Sequence, residues 1–331
     1  MMSAEEHFDA LRQPVHREVT VCAFERLHLG FLDPQGSGER TFGSIGMALS
    51  RTGTVLKIEP SNRLIFRGPS AARAERYFQA LRSIYRISPR VKISIKKASQ
   101  PHIGLGSGTQ MALAVGSAVS AMYDLKLEPS TIMENLGRGG RSGIGLGAFA
   151  VGGFLVDGGR DISHKPPRIT VRAKFPETWR VLLMVDDKVS GIHGDDEVRA
   201  FGALPKVSDE FSAKLCRLVL MGALPALVEA NIASFSKAIC QVQEMMGSYF
   251  SSAQGGSFSS ERIAQLLGWL RLQGVVGCGQ TSWGPTGFVI FGSEAEAQSL
   301  LAELSARRAL TEHVSFYICN GRNRGARLKI K

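Results

Sequence analysis

Three glycines and two hydroxyl side chains crowd the stretch Pro101-His-Ile-Gly-Leu-Gly-Ser-Gly-Thr-Gln-Met-Ala-Leu-Ala114, directly ahead of a helical pattern. Met111, Val115, Ala118 and Met122 recur four, three and four residues apart, on one face of a helix expected to run from near Ser107 to about Leu125. The first N–H groups of such a helix lack intrahelical partners and carry the positive end of its dipole. Gly104, Gly106 and Gly108 remove the Cβ atoms that would keep an anion from that backbone. The stretch therefore predicts a phosphate-binding turn, with His102, Ser107 and Thr109 as further contacts. A plain strand-to-helix connection capped by Ser107 or Thr109 is the competing explanation. The turn lacks the lysine of a P-loop and does not open a βαβ unit, so P-loop and dinucleotide readings fit poorly.

At 331 residues the chain exceeds what one core usually serves, and two domains are expected, 15–175 and 176–331, with a boundary near Phe175-Pro176-Glu177. Hydrophobic residues make up 44% and charged residues 21%, as in globular proteins, and no apolar run approaches the roughly eighteen residues that cross a bilayer. The first ten residues carry acidic side chains and no apolar stretch, so they do not read as a signal peptide, and a cytoplasmic setting without membrane contact is expected. The five cysteines, at 22, 216, 240, 278 and 319, include no Cys-x-x-Cys pair, and the seven histidines show no tight ligand spacing. Any metal is thus expected to arrive with substrate phosphate. The formal charge of +11 permits nucleic-acid binding. The basic residues are dispersed, however, few aromatics lie among them, and no nucleic-acid partner is expected. A positive field also suits small phosphorylated substrates. The expected assembly is a homodimer.

Strands are predicted at 18–25, 54–59, 63–67 and 91–95, with a helix between the last two on Ala74, Phe78, Leu81 and Tyr85. Thr131-Ile-Met-Glu134 has a capping-box pattern that opens a short helix ended by Gly137, and strands resume at 151–157, 169–173 and 181–185. In the second half, Ser208 caps a helix that breaks at Gly-Ala-Leu and restarts at Pro225. Further helices carry Ile263 to Leu270 and follow Ser293-Glu-Ala-Glu296, with strands at 286–291, 314–318 and 326–330. These elements make an α+β chain with helices layered on mostly antiparallel sheets.

Three more segments carry chemistry. Arg26-Leu-His-Leu-Gly-Phe-Leu-Asp33 follows the first predicted strand and concentrates at its end a bidentate cation, a group that transfers protons near neutral pH, and a carboxylate. Gly137-Arg-Gly-Gly-Arg-Ser-Gly-Ile-Gly-Leu-Gly147 sets Arg138, Arg141 and Ser142 in a second glycine-rich loop, and Asp157 follows at a strand end between glycines. Gly277-Cys-Gly-Gln-Thr-Ser-Trp-Gly-Pro-Thr286 supplies Gln280, Thr281, Ser282 and Trp283.

The Pro-x-x-Gly-Leu-Gly-Ser turn resembles the second motif of the superfamily of galactokinase, homoserine kinase and mevalonate kinase, the GHMP superfamily. That resemblance implies an N-terminal ribosomal-protein-S5-like domain and a C-terminal ferredoxin-like domain. In the kinases the later region reads Ser-Gly-x-Asp, seven positions before Gly-Gly. Here Ser142-Gly-Ile-Gly145 precedes Gly152-Gly153 at the same count, so Gly145 stands where the kinase aspartate would be. Glycine has no side chain with which to accept the acceptor's proton.

The motifs from Arg26 to Asp33, from Pro101 to Gln110, from Gly137 to Gly159 and from Gln280 to Pro285 are together similar to one non-kinase branch, the β-ribofuranosylaminobenzene 5′-phosphate synthases. This resemblance implies transfer of a phosphoribosyl group from 5-phosphoribosyl-1-pyrophosphate to 4-aminobenzoate, with release of pyrophosphate and CO2, in tetrahydromethanopterin biosynthesis. Mg2+ would accompany the pyrophosphate. Arg26 or Arg141 would hold the aromatic carboxylate or sugar phosphate, and Asp33 or Asp157 would lie near the cationic centre or Mg2+. An ATP-dependent small-molecule kinase and a non-catalytic binding module remain the alternatives.

Overall fold

The computed structural model describes residues 11–36, 38–161, 165–192, 194–281 and 284–331. Its first half runs β1 (Val19–Asp33), β2 (Phe42–Pro60), β3 (Ile65–Arg67), α1 (Ala71–Tyr85), β4 (Val91–Lys97), α2 (Ser107–Met122), α3 (Pro129–Asn135), α4 (Ile144–Ala150), β5 (Phe154–Asp157) and β6 (Ile169–Ala173). The second half runs β7 (Arg180–Asp186), α5 (Gly194–Gly202), α6 (Asp209–Leu218), a π-helical turn (Val219–Ala223), α7 (Leu224–Val228), α8 (Ile232–Gln254) and α9 (Glu261–Leu272). It ends with β8 (Cys278–Gln280), β9 (Thr286–Phe291), α10 (Glu294–Ala306), α11 (Arg308–Thr311), β10 (Val314–Cys319) and β11 (Arg327–Ile330).

Two sheets carry the fold. The first has the order β11-β1-β2-β4-β3, with β5 also paired to β2 and β6 to β5. Strand β2 serves two neighbours: Ser44–Met47 pairs with β5 and Val55–Pro60 with β4. The second sheet has the order β10-β7-β9-β8, the 4-1-3-2 arrangement of a ferredoxin-like unit. Among the described strands only β3 and β4 pair in parallel. Strand β11 returns to β1 in the first sheet, so residues 176–331 are shared between the two sheets.

Packing follows the strand alternation. On one face of the first sheet, Val21, Leu56, Ile58 and Ile93 meet Phe78 and Leu81 of α1 and Val115 and Val119 of α2. Eleven of the sixteen residues of α2 are buried, so it is a central helix rather than a one-sided one. On the other face, Leu27, Ile45 and Phe154 pack with Phe175, Leu183, Phe235 and Val242, and this shared core joins the two sheets through α8. The far face of the second sheet is closed by α9 and α10 through Ile263, Leu267 and Leu304.

Local chemistry explains most ends. Ser208 and Ser260 each accept the N3 backbone N–H, and Ser293 with Glu296 completes a capping box. Several boundaries differ from the sequence expectation: β1 runs on to Asp33 past the expected 18–25, and β2 begins at Phe42, ahead of the expected 54–59. Helix α3 starts at Pro129 with Glu128 as its cap, not at Thr131. Strand β5 starts at Phe154 because Gly152 and Gly153 adopt φ of 67° and 92°. The predicted break before Pro225 is a π-helical turn in a continuous helical path, an irregularity that accommodates Pro225, which has no N–H to give to the preceding turn. The glycine-rich 144–150 segment, expected as loop, is helix α4. Asp209–Val228 is long and apolar enough to cross a membrane by length and composition alone. Its Leu215, Val219, Ala223, Ala226 and Leu227 lie in the core that joins the sheets.

Candidate active site

A cavity of about 780 Å³ opens where the end of β1, the start of β2, the first turn of α2, the 137–145 loop and α5 converge. Its wall carries four arginines, at 26, 138, 141 and 160, and one carboxylate, Glu197, a formal charge of +3. The remaining wall is largely aromatic and small: His28, Phe31, Phe42, Phe201, Thr109 and glycines.

The glycine turn is bolted in place before it meets any ligand. Arg26 N donates to Leu105 O at 3.2 Å and its Nη1 to Gly104 O at 2.5 Å. Thr281 Oγ1 donates to the same Gly104 carbonyl at 2.8 Å, from the segment after β8. Gly104 and Gly106 have φ of 83° and 81°. A Cβ on Gly104 would lie 2.8 Å from Gly284 Cα, and one on Gly106 would lie 3.0 Å from Arg26 Cγ, so these two positions require glycine. At Gly108 the nearest protein atom to a Cβ is the Arg138 guanidinium at 3.6 Å, ordinary contact, so the protein itself does not require glycine there. The first intrahelical bond of α2 runs from Gln110 N to Gly106 O at 3.0 Å, which leaves the N–H groups of Ser107, Gly108 and Thr109 without intrahelical partners in a turn flanked by Arg26 and Arg138.

Each arginine is aimed by a fixed partner. Arg138 Nη2 donates to the Tyr77 hydroxyl at 2.5 Å, and that hydroxyl donates to Gly108 O at 3.3 Å. Arg141 Nη1 pairs with Glu197 Oε1 at 2.5 Å. Arg160 Nη1 donates to Gly140 O at 2.9 Å. Nε of Arg26 and Nε of Arg160 are buried without a partner among the described residues. Burial lowers the Arg26 pKa to about 10, against the opposing pull of Glu197. Arg26 therefore stays charged at neutral pH.

His28 is buried beside Arg26, and its ring centroid lies 4.7 Å from that of Phe31. Burial first, and then the Arg26 charge, holds its pKa well below the ordinary 6.5, so the ring is neutral at physiological pH. Neutrality suits an orienting or proton-accepting role and not a resident acid. The unfolded chain binds a proton near pH 6.5 that folded His28 refuses. Stability should therefore fall as pH drops below about 6.5, by up to about 1.4 kcal/mol per unit, and the His28→Gln variant should lose that part of the slope. Denaturant titrations of both proteins between pH 5 and 8 measure it; parallel curves would show that His28 titrates normally.

The two expected aspartates lie outside the cavity wall. Asp33 accepts a hydrogen bond from Ser212 Oγ of α6 at 2.8 Å. Asp157 is fully buried: Oδ2 accepts from Gly143 N at 2.9 Å, from Ser142 Oγ at 3.4 Å and from Ser44 Oγ, and Oδ1 accepts from Gly159 N at 2.9 Å. Burial raises its pKa, and these four hydrogen bonds counter it. Asp157 thus anchors the arginine loop from behind the cavity wall. Gly145 faces Thr109: a Cβ there would lie 2.7 Å from Thr109 Cγ2, so the threonine methyl fills the space a side chain at 145 would need.

Of the other expected contacts, Thr109, Arg138, Arg141 and Ser142 line the cavity with Arg26 and His28. His102, at φ 61°, accepts from Gly191 N through its carbonyl and lies off the wall, and Ser107 is in the first turn of α2. Gln280 is buried against Ser259, Gln243 and Gln254 and serves packing. Thr281 acts through the glycine turn. Ser282 and Trp283 lie outside the described residues. Sequence reasoning missed Arg160, Glu197, Phe42 and Phe201. Arg160 directly follows the Gly158-Gly159 pair that ended the motif read there. Among the described residues no cluster of three His, Cys, Asp or Glu side chains has the arrangement of a metal site.

Two family models cover this framework: the N-terminal domain of GHMP kinases matches residues 70–153 and the GHMP kinase C-terminal region residues 223–309. Beta-ribofuranosylphenol 5'-phosphate synthase of Archaeoglobus fulgidus is 32% identical over 321 residues, covering 92% of this chain and 97% of that protein. The chain belongs to this synthase family, a branch of the GHMP superfamily. The synthase of the same name from Methanocaldococcus jannaschii is 32% identical over 295 residues, covering 79% of this chain and 86% of its own. Among solved structures, L. major mevalonate kinase in complex with R-mevalonate has a TM-score of 0.67 at 14% identity, over 94% of this chain and 99% of that one. Homoserine kinase from Cytophaga hutchinsonii has a TM-score of 0.63 at 16% identity, over 95% and 98%. The synthase family thus shares its fold with small-molecule kinases, and its members are enzymes.

Proposed function

We propose that this chain transfers the phosphoribosyl group of 5-phosphoribosyl-1-pyrophosphate to 4-aminobenzoate with loss of pyrophosphate and CO2, a step suited to tetrahydromethanopterin biosynthesis. The observation that carries the reading is the mixed lining of the cavity, where four guanidiniums and the first turn of α2 share the wall with three phenylalanines. A donor with three phosphate groups and a flat aromatic acceptor match that lining.

The chemistry needs little else. The C–O bond to pyrophosphate breaks as the ring carbon bearing the carboxylate attacks ribose C1; the C–C bond to that carboxylate then breaks, its electrons restore aromaticity, and CO2 leaves. The para amine feeds electron density to the attacking carbon. Arg26, Arg138 and the N–H groups of Ser107 to Thr109 would receive the charge that develops on departing pyrophosphate. Neutral His28 would orient substrate without adding repulsion at the cationic sugar carbon. Asp33 and Asp157, both engaged outside the cavity, do not form a Mg2+ site, so Mg2+ enters this reading as the companion of pyrophosphate.

Phosphoryl transfer by a kinase route would lack its carboxylate, because Gly145 abuts the Thr109 methyl. The relatives' names specify a ribofuranosylphenol, the product that 4-hydroxybenzoate would give in place of 4-aminobenzoate. Calorimetric titration with phosphoribosyl pyrophosphate and with ATP, each with Mg2+, tests the donor. Binding of the former alone is expected; binding of ATP alone would return the chain to the kinase reading.

A further inference from the structure

The strained residue of the cavity wall is Phe42. It has φ of 72°, a left-handed backbone that bulky side chains rarely adopt. Gly43 N donates to Thr41 O at 3.2 Å, so Phe42 is the centre of a three-residue turn, the rare γ-turn of positive φ. The turn is held from outside: Thr41 and Arg160 exchange backbone hydrogen bonds at 3.0 and 2.8 Å, so one bridge fixes both the turn and a cavity cation. Ordinary packing does not call for this conformation. Phe42 is only half-buried, whereas Phe31 and Phe201 beside it are 4% and 5% exposed and fill the core from unstrained strand and helix positions. Strain that the surroundings enforce at a cavity wall is a mark of function.

The three rings enclose a small aromatic corner. Phe42 lies 6.2 Å from Phe31 and 5.7 Å from Phe201, and Phe31 lies 5.6 Å from Phe201, centroid to centroid. The Gln35 amide donates to the Phe201 carbonyl and ties α5 to the β1–β2 connection. The Arg141 guanidinium stands 4.9 Å from the Phe201 ring centre, paired with Glu197 at the rim.

We propose that Phe42, presented by its γ-turn, is the surface on which the acceptor ring stacks, so that this corner selects a flat aromatic acid whose carboxylate exchanges with Glu197 on Arg141. The assignment rests on the synthase reading and adds the acceptor's seat to it. Aromatic pairs at these spacings contribute beyond simple burial, in offset or edge-on geometry. Glycine adopts positive φ freely, so Phe42→Gly removes the ring without distorting the turn.

Steady-state kinetics with 4-aminobenzoate and 4-hydroxybenzoate test it on wild type, Phe42→Gly, Phe42→Leu and Phe42→Tyr, each checked for folding by its denaturation midpoint. The glycine and leucine variants should raise the acceptor KM by about tenfold or more with the donor KM within about twofold, and tyrosine should restore it. An unchanged acceptor KM, or donor and acceptor values that rise together, would overturn the assignment. If wild type makes no product from either acid, the synthase reading fails, and equilibrium dialysis with labelled benzoate judges the corner alone. Benzoate binding lost in Phe42→Gly supports it; no binding by wild type, or equal binding by both, overturns it.

Discussion

Replacing Arg26 with methionine is expected to lower kcat/KM for the phosphoribosyl donor by about 10³-fold, the range seen when a single preorganised donor to developing negative charge is removed. Arg26 does two things that methionine cannot. Its Nη1 holds the Gly104 carbonyl, and its buried Nε has no partner among the described residues, so the guanidinium is poised at the helix entry with donor capacity unspent. Methionine keeps the stem that packs against Gly106. Folding should therefore survive, and loss of turnover with a native denaturation midpoint separates chemistry from collapse. Arg26→Lys should recover little, because an ammonium cannot span the turn carbonyl and a phosphate as a planar fork does. Wild-type kinetics in either variant would remove Arg26 from the donor site.

The second large effect belongs to a residue that lies outside the cavity wall. Asp157→Ala should destabilise the protein by about 3 kcal/mol and reduce kcat/KM by two orders of magnitude or more, because four hydrogen bonds to one buried carboxylate hold the loop carrying Arg138 and Arg141. Asp157→Asn retains one accepting oxygen and should fall between the two. Were Asp157 itself the reacting group, asparagine would match alanine in rate while remaining near wild type in stability. Denaturant titration and kinetics on the same samples separate these outcomes.

The glycine turn was legible because its signal is local. Gly104 and Gly106 sit within five residues of the Ser107 and Thr109 hydroxyls, and the helix they open shows its apolar spacing over one window. Arg26 and Arg138 were legible for a similar reason, as cations set in short motifs. Glu197 was not: it meets Arg141 from fifty-six residues away, through α5, a helix that no periodicity announced. Phe42 escaped because its value lies in a dihedral angle, which composition does not encode. Asp157 shows the opposite failure. Its place at a strand end between glycines was read as a catalytic position, yet the neighbouring N–H groups and serines turn the carboxylate inward. Likewise α8, the long helix behind the cavity, has buried positions such as Phe235, Ile239 and Val242 that only the second sheet makes intelligible.

The central claim is that an aromatic carboxylate is lost as the ribosyl bond forms. The most direct measurement uses 4-aminobenzoate labelled at its carboxyl carbon, with 4-hydroxybenzoate labelled likewise in parallel, incubated with the purified protein and Mg2+. Labelled CO2 should appear only when phosphoribosyl pyrophosphate is present, one equivalent per pyrophosphate released, and ATP should not replace that donor. ATP consumption yielding a phosphorylated small molecule, with the label retained in the acid, would contradict the account and make the chain an atypical kinase.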